Sequence, residues 1–140
     1  MRQEEDSDYA QRARIINIMD NNKRLPLYQK MYSLTKYNYK MVKNFPKEYK
    51  YSLGAEITNL SLVCLDIIVE ANTLPNTNKA KKIHELSLAL DKLKLRIRIA
   101  QEVGVISVKQ FAHIQENYLI NIGEMTSGWQ KWAKGSGGAK

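Results

Sequence analysis

The 140-residue chain carries 22 lysines and arginines against 14 acids, a formal charge of +8, with 44% hydrophobic and 26% charged residues. That length calls for one domain around a single core, and seven glycines with three prolines exclude a fibrous or low-complexity chain. A lone cysteine, Cys64, excludes a disulfide framework and a thiolate metal site; set between Val63 and Leu65, it reads as a core thiol.

The start, MRQEEDSDYA, is acidic and polar, unlike a basic-then-apolar leader, and the most apolar run, LSLVCLDIIVEA (60–71), is short for a bilayer and holds Asp66 and Glu70. A cytoplasmic protein is expected. The charge is uneven. Residues 1–9 hold one arginine against four acids, so the remainder carries +11, and residues 23–50 hold eight basic residues against Glu48 alone. Such density suits a polyanionic partner, nucleic acid or an acidic membrane face; a solvated surface that only keeps the protein soluble is the plainer alternative.

In chain order, residues 1–24 form an acidic extension, weakly structured or a short helix. Helix one follows from Leu25, with Pro26 suited to a first turn and Leu27, Met31, Leu34 and Met41 at helical spacing. The break NFP (44–46) lets Pro46 open helix two, which runs to about Asn72 with Leu53, Ile57, Leu60, Cys64, Ile67 and Ala71 on one stripe. NTLPNTN (72–78) is a loop, and helix three covers 79–103 with Gly104 as its stop. SVKQ (107–110) is a capping-box signature for helix four, which carries Phe111, Tyr118, Ile122, Met125 and Trp129 to about Trp132. The bundle spans 25–134, and 135–140 is a flexible tail. Four such helices with short links give an all-α fold, an antiparallel up-and-down four-helix bundle.

The stretch DKLKLRIRIA (91–100) alternates like a strand inside a helix. On a helical wheel Ile83, Leu86, Leu90, Leu93, Ile97 and Ala100 form the core stripe, whereas Leu88, Leu95 and Ile99 gather opposite. Between them lie two basic edges, Lys92 with Arg96 and Lys94 with Arg98. Helix two repeats the theme, with Leu62, Leu65 and Val69 opposite its core stripe. A bundle needs one stripe per helix, so the second asks for a partner, and a copy of the same chain is the simplest. Helices seated deeper in the bundle, with some apolar residues scattered outside, are the alternative.

Two further basic groups stand out. Lys36, Lys40 and Lys43 share a face of helix one beside Tyr32 and Tyr39, with Lys47 and Lys50 following. Lysines neutralise phosphates and tyrosines offer a face to an unpaired base; tyrosines at bundle edges are more often packing. Lys79, Lys81 and Lys82 are assigned to the first turn of helix three, where the helix dipole favours anions, so a docked phosphate or a solvated cluster would explain them. A peripheral membrane role is disfavoured because no Trp or Phe accompanies the helix-one lysines.

No catalytic constellation is visible. His84 and His113 belong to no metal-spaced motif, no phosphate loop or nucleophile elbow appears, and Asp66 with Glu70 lacks the Glu-x-x-His partners of a di-metal bundle. Catalytic residues, metal and cofactor are expected to be none.

The blocks LPLYQKMYSLTKYNYKMVKNFPKEYKYSLG (25–54), ANTLPN (71–76), LKLRIRIAQEVGVIS (93–107) and IGEMTSGWQKW (122–132) resemble the Avd proteins, the accessory variability determinants of diversity-generating retroelements. The most specific pieces are NFPKEYKYSLG and the closing IG…GW. The resemblance implies a basic, barrel-like homopentamer of four-helix bundles, a non-catalytic partner of a reverse transcriptase and of the element's RNA in error-prone cDNA synthesis. Carried onto this sequence, it marks Lys92, Lys94, Arg96 and Arg98 for RNA or transcriptase contact, then Lys36, Lys40, Lys43, Lys47 and Lys50. The acidic 1–9 stretch departs from the family pattern. Bundles encoded in ribosomal-RNA intervening sequences share the Phe-Pro…Glu-Tyr…Leu start of helix two but favour an Asn-Ile-Ala-Glu-Gly ending, where this chain reads IVEANTLPN. A self-associating structural bundle of that type is the alternative function.

Overall fold

A computed structural model describes residues 8–12 and 25–138, and every regular element among them is helical. Residues 8–12 are helical and exposed, with Arg12 paired to Asp8 at 3.1 Å; the rest of the N-terminal extension lies outside the described residues. The remaining elements are α1 (Pro26–Lys43), the single turn α2 (Lys47–Lys50), α3 (Leu53–Thr73), α4 (Asn76–Glu102), α5 (Val108–Ile114), a π-helical turn (Gln115–Leu119) and α6 (Ile120–Gly138). The last three run on as one rod. α3 packs against α1 and α4, α4 packs against α6, and α6 returns to α1.

Helix one forms as its spacing predicts. Pro26 sits in the first turn, and Leu27, Met31, Leu34 and Met41 are buried. Asn38 joins them: fully buried, it donates from Nδ2 to Ser61 Oγ on α3 at 2.9 Å, while Ser61 donates to the Ile57 carbonyl. This polar pair explains a shift on α3. Ser61 and Ile68 are fully buried, whereas Leu60 and Ile67, expected in the core stripe, are half-buried.

The expected second helix is also broken. It makes one turn over Lys47–Lys50, stops at Tyr51 and restarts at Leu53, because the Ser52 hydroxyl donates to the Glu48 carbonyl at 2.9 Å and its backbone leaves helical geometry. Gly54 is required at the restart. A Cβ there would stand 2.6 Å from Val42 Cγ1 and 3.2 Å from the Tyr49 carbonyl oxygen, with the ring of buried Phe45 at 3.3 Å. The block NFPKEYKYSLG is therefore a corner: Phe45 plugs the core, and a residue without a side chain lets α3 close on α1.

α4 begins at Asn76, three residues earlier than expected, with Pro75 as its N-cap residue. It ends as the sequence indicates: Gly104 takes φ +83° and Val105 N–H reaches back to the Ala100 carbonyl at 2.8 Å. Ser107 caps α5, its Oγ accepting from the Gln110 N–H at 3.0 Å, as the SVKQ signature predicts. The stripe expected on helix four is only partly the buried one. Ile114, Leu119, Ile122, Thr126 and Ala133 are buried, whereas Phe111, Tyr118, Met125 and Trp129 are half-buried. The π-helical turn is the reason: Ile114 and Leu119 stand five residues apart, a spacing that an uninterrupted α-helix puts on divergent faces. α6 continues to Gly138, into the segment expected to be a flexible tail.

Over Lys47–Thr73, α2 and α3 together are long and apolar enough to cross a membrane by length and composition, beyond what the run 60–71 suggests. In α3, Leu53, Ile57, Cys64, Ile68 and Ala71 are buried among the other helices, while most of the apolar stretch is exposed or half-buried. Burial pushes the Cys64 thiol up to about 12.

Candidate nucleic-acid interface

α4 carries the alternating stretch, and the structure sorts it as the wheel requires. Leu86, Leu90, Leu93, Ile97 and Ala100 are buried. Leu88 is 50%, Leu95 51% and Ile99 38% exposed, a second apolar row turned away from the core. Lys92 and Arg96 line one hollow of about 470 Å³ between α4 and α3, together with Glu56, Asn59, Leu60 and Val63. Arg96 leans along its own helix, donating to the Lys92 carbonyl at 3.4 Å. On the other edge, Lys94 runs toward α6, where its ammonium is 3.4 Å from the point a Cβ on Gly123 would occupy. Arg98 pairs with Glu102 at 3.0 Å in an exposed contact one turn along, a pair of small energetic weight. The four cations of the alternation therefore divide between two flanks of one helix.

The helix-one lysines meet the second row of α3. A groove of about 360 Å³ between α1 and α3 is lined by Tyr32, Thr35, Lys36, Tyr39, Lys40 and Lys43 on one side and by Leu62 and Leu65 on the other. Its floor is apolar and its rim is cationic, with the Lys36 ammonium 4.9 Å from the Tyr32 ring centroid. Leu62 is 37% exposed, and Leu65 and Val69 are half-buried. Two surfaces that the sequence treats separately, a basic face on one helix and an apolar row on another, are here one groove. Lys47 is exposed, and Lys50 lies 5.9 Å from the Tyr51 ring centroid.

Lys79, Lys81 and Lys82 do not act as a unit. With the helix starting at Asn76, Lys81 and Lys82 lie past the first turn, a correction to the expected placement. Lys79 is buried and donates to the Asn72 and Leu74 carbonyls at 3.3 and 2.7 Å, capping the C-terminal end of α3. Lys82 bridges Glu70 on α3 (2.7 Å) and Glu85 on its own helix (3.0 Å), and these hydrogen bonds hold its ammonium above the ordinary lysine range. Glu70 thus ties α3 to α4. Lys81 lines an open hollow with Thr77, Asn78, Lys82 and Glu85. Among the described residues no three His, Cys, Asp or Glu side chains gather as a metal site.

Comparison with known proteins decides the family. A family model described as bAvd-like matches residues 25–133, from the start of α1 almost to the end of α6. The chain belongs to that family. It is an Avd-type protein of diversity-generating retroelements, and the family assignment brings an accessory role with it. The match covers the whole packed helical assembly, including both basic surfaces. No curated protein and no solved structure matches the chain.

Proposed function

We propose that this Avd-type chain is a non-catalytic accessory protein that joins the reverse transcriptase of its retroelement to the element's RNA during mutagenic cDNA synthesis. In this reading the helices form an up-and-down four-helix bundle, and the bundles assemble into a closed homo-oligomer, a pentamer by family resemblance. The observation that carries it is the bAvd-like match over residues 25–133, the segment that bears both basic surfaces. Lys92 with Arg96, and Lys36 with Lys40 and Lys43, supply clustered cations beside exposed apolar residues. Cations suit phosphate, and the apolar rows suit a protein surface.

The apolar rows lie on different flanks, Leu62, Leu65 and Val69 on α3 beside α1 and Leu88, Leu95 and Ile99 on α4. Two unlike faces on one subunit favour head-to-tail contacts, which close into a ring when the rotation permits. The test is co-expression with the transcriptase and RNA of the same element. The expected result is one salt-sensitive complex containing all three, with the accessory chain as a closed oligomer by native mass. Purification of the transcriptase and its RNA without this chain, at low salt, would contradict it.

A further inference from the structure

The seam between α1 and the α5–α6 rod is lined by residues of α1 other than those that line the groove with α3. At the π-helical turn three rings meet. Tyr37 lies 5.5 Å from both His113 and Tyr118, and His113 meets Tyr118 edge-on at 6.2 Å. Their orientations are fixed by amides. Gln110 Nε2 donates to the Tyr37 hydroxyl at 3.3 Å, and Asn117 Nδ2 reaches the His113 carbonyl at 2.9 Å and its ring Nδ1 at 3.0 Å. The Lys30 ammonium stands 5.4 Å from the Tyr118 ring centroid. Lys30 also lines the adjoining cleft, about 250 Å³, with Gln29, Ser33, Asn121 and Met125. Beyond it, an apolar hollow of about 220 Å³ ends on Trp129 and shares Pro26 and Met125 with the cleft.

We propose that this seam is a binding cleft for an unpaired nucleic-acid strand. Bases stack at the His113–Tyr118 end, Lys30 takes a phosphate, and the side chains of Ser33 and Asn121 reach base edges or sugar. The inference rests on the RNA-binding role proposed above and adds the form of RNA that is bound. Three features support it. Ring faces are of use only against bases that have left the duplex, whereas duplex phosphates ask only for cations. No carboxylate is among the side chains lining the two hollows. Polar side chains, Ser33 and Asn121, line the cleft beside the aromatic cluster, and the apolar hollow beyond it ends on Trp129. The distance fits as well: eleven residues separate Tyr118 from Trp129, about 16 Å at the helical rise, enough for a few nucleotides. The π-helical turn supplies the placement, because it buries Leu119 in the core while leaving Tyr118 against α1.

The test compares a short oligouridylate with a polyphosphate chain of equal charge, at matched salt, on the full chain and four variants. The wild type is expected to bind the oligouridylate more tightly. His113→Ala, on an exposed ring, is expected to weaken oligouridylate binding about tenfold and to leave polyphosphate unchanged. Tyr118→Phe keeps the ring and retains binding, whereas Tyr118→Leu loses it; the histidine variant keeps the test decisive if the leucine variant misfolds. Lys30→Ala, which removes the seam's own phosphate contact, weakens both polymers. Equal affinity of the wild type for the two polymers would overturn the proposal, as would unchanged oligouridylate binding in His113→Ala. Protection of the seam from hydrogen exchange by the transcriptase, without any effect of oligouridylate, would make it a protein-docking face and also overturn it. Loss of transcriptase co-purification with base-dependent binding intact would instead sink the accessory role and leave the cleft standing.

Discussion

Lys79 and Cys64 show how burial sets what a side chain does. The Lys79 ammonium is held by two carbonyls at the end of α3, so its charge caps a helix. Lys79→Met keeps the volume but leaves those carbonyls without their donor, and is expected to cost about 2 kcal/mol of stability, read by denaturant unfolding. Exposed Lys40→Met should leave stability unchanged within about 0.5 kcal/mol. Cys64 is fully buried with its pKa raised by burial to about 12, so it stays a protonated, unreactive thiol in the folded chain at pH 8. Thiol labelling at that pH is expected to proceed only at the rate of unfolding; fast stoichiometric labelling of folded protein would contradict its placement. The sign of the pH effect follows. The unfolded chain releases the thiol proton near 9.0, before the folded chain does, so the thiol makes stability fall as pH rises from about 9 toward 12.

At the scale of elements, the chain departs from plain helical periodicity at the restart at Leu53 and at the π-helical turn. Gly54→Ala is expected to destabilise by about 1–3 kcal/mol, because the new methyl group meets the stiff Val42 side chain and a carbonyl oxygen. Thermal melting of that variant against Ala55→Gly, an exposed helix position, would separate overpacking from ordinary helix propensity. Both departures were hard to read beforehand. Ser52 looks like any helix-tolerated residue until its hydroxyl is seen bonding back to Glu48, and the π-helical turn leaves only a five-residue gap between Ile114 and Leu119. The stripe through Phe111, Tyr118 and Met125 followed unbroken α-periodicity and so named half-buried residues where the core holds Leu119 and Thr126. By contrast, Pro26, Gly104 and the Ser107 cap announce helix ends through their own backbone chemistry, and each was legible.

For the whole molecule, the surfaces were legible as lists of residues and not as places. Helical arithmetic alone put Leu88, Leu95 and Ile99 opposite the core of α4. It could not show that Lys36, Lys40 and Lys43 share a groove with Leu62 and Leu65, because that depends on how α1 and α3 pack. The proposed head-to-tail assembly carries its own prediction. Leu62→Glu and Leu95→Glu each damage one face, so each variant alone should be monomeric by light scattering. Mixed, their two intact faces should join one copy of each into a dimer; two monomers that never associate would contradict contact between unlike faces.

The central claim, that the basic surfaces of this bundle serve RNA, is most directly tested by titrating nuclease-treated protein with a structured RNA and a matched DNA duplex at several salt concentrations. An accessory role in RNA-templated synthesis predicts a preference for RNA and a steep fall of affinity with salt. Arg96→Ala with Arg98→Ala should make that fall shallower by about 1–2 in the log–log slope, since about 0.7–0.9 is lost per phosphate contact. Weak binding, equal for both polymers and unchanged in the variant, would contradict it and leave a bundle whose charges face protein alone.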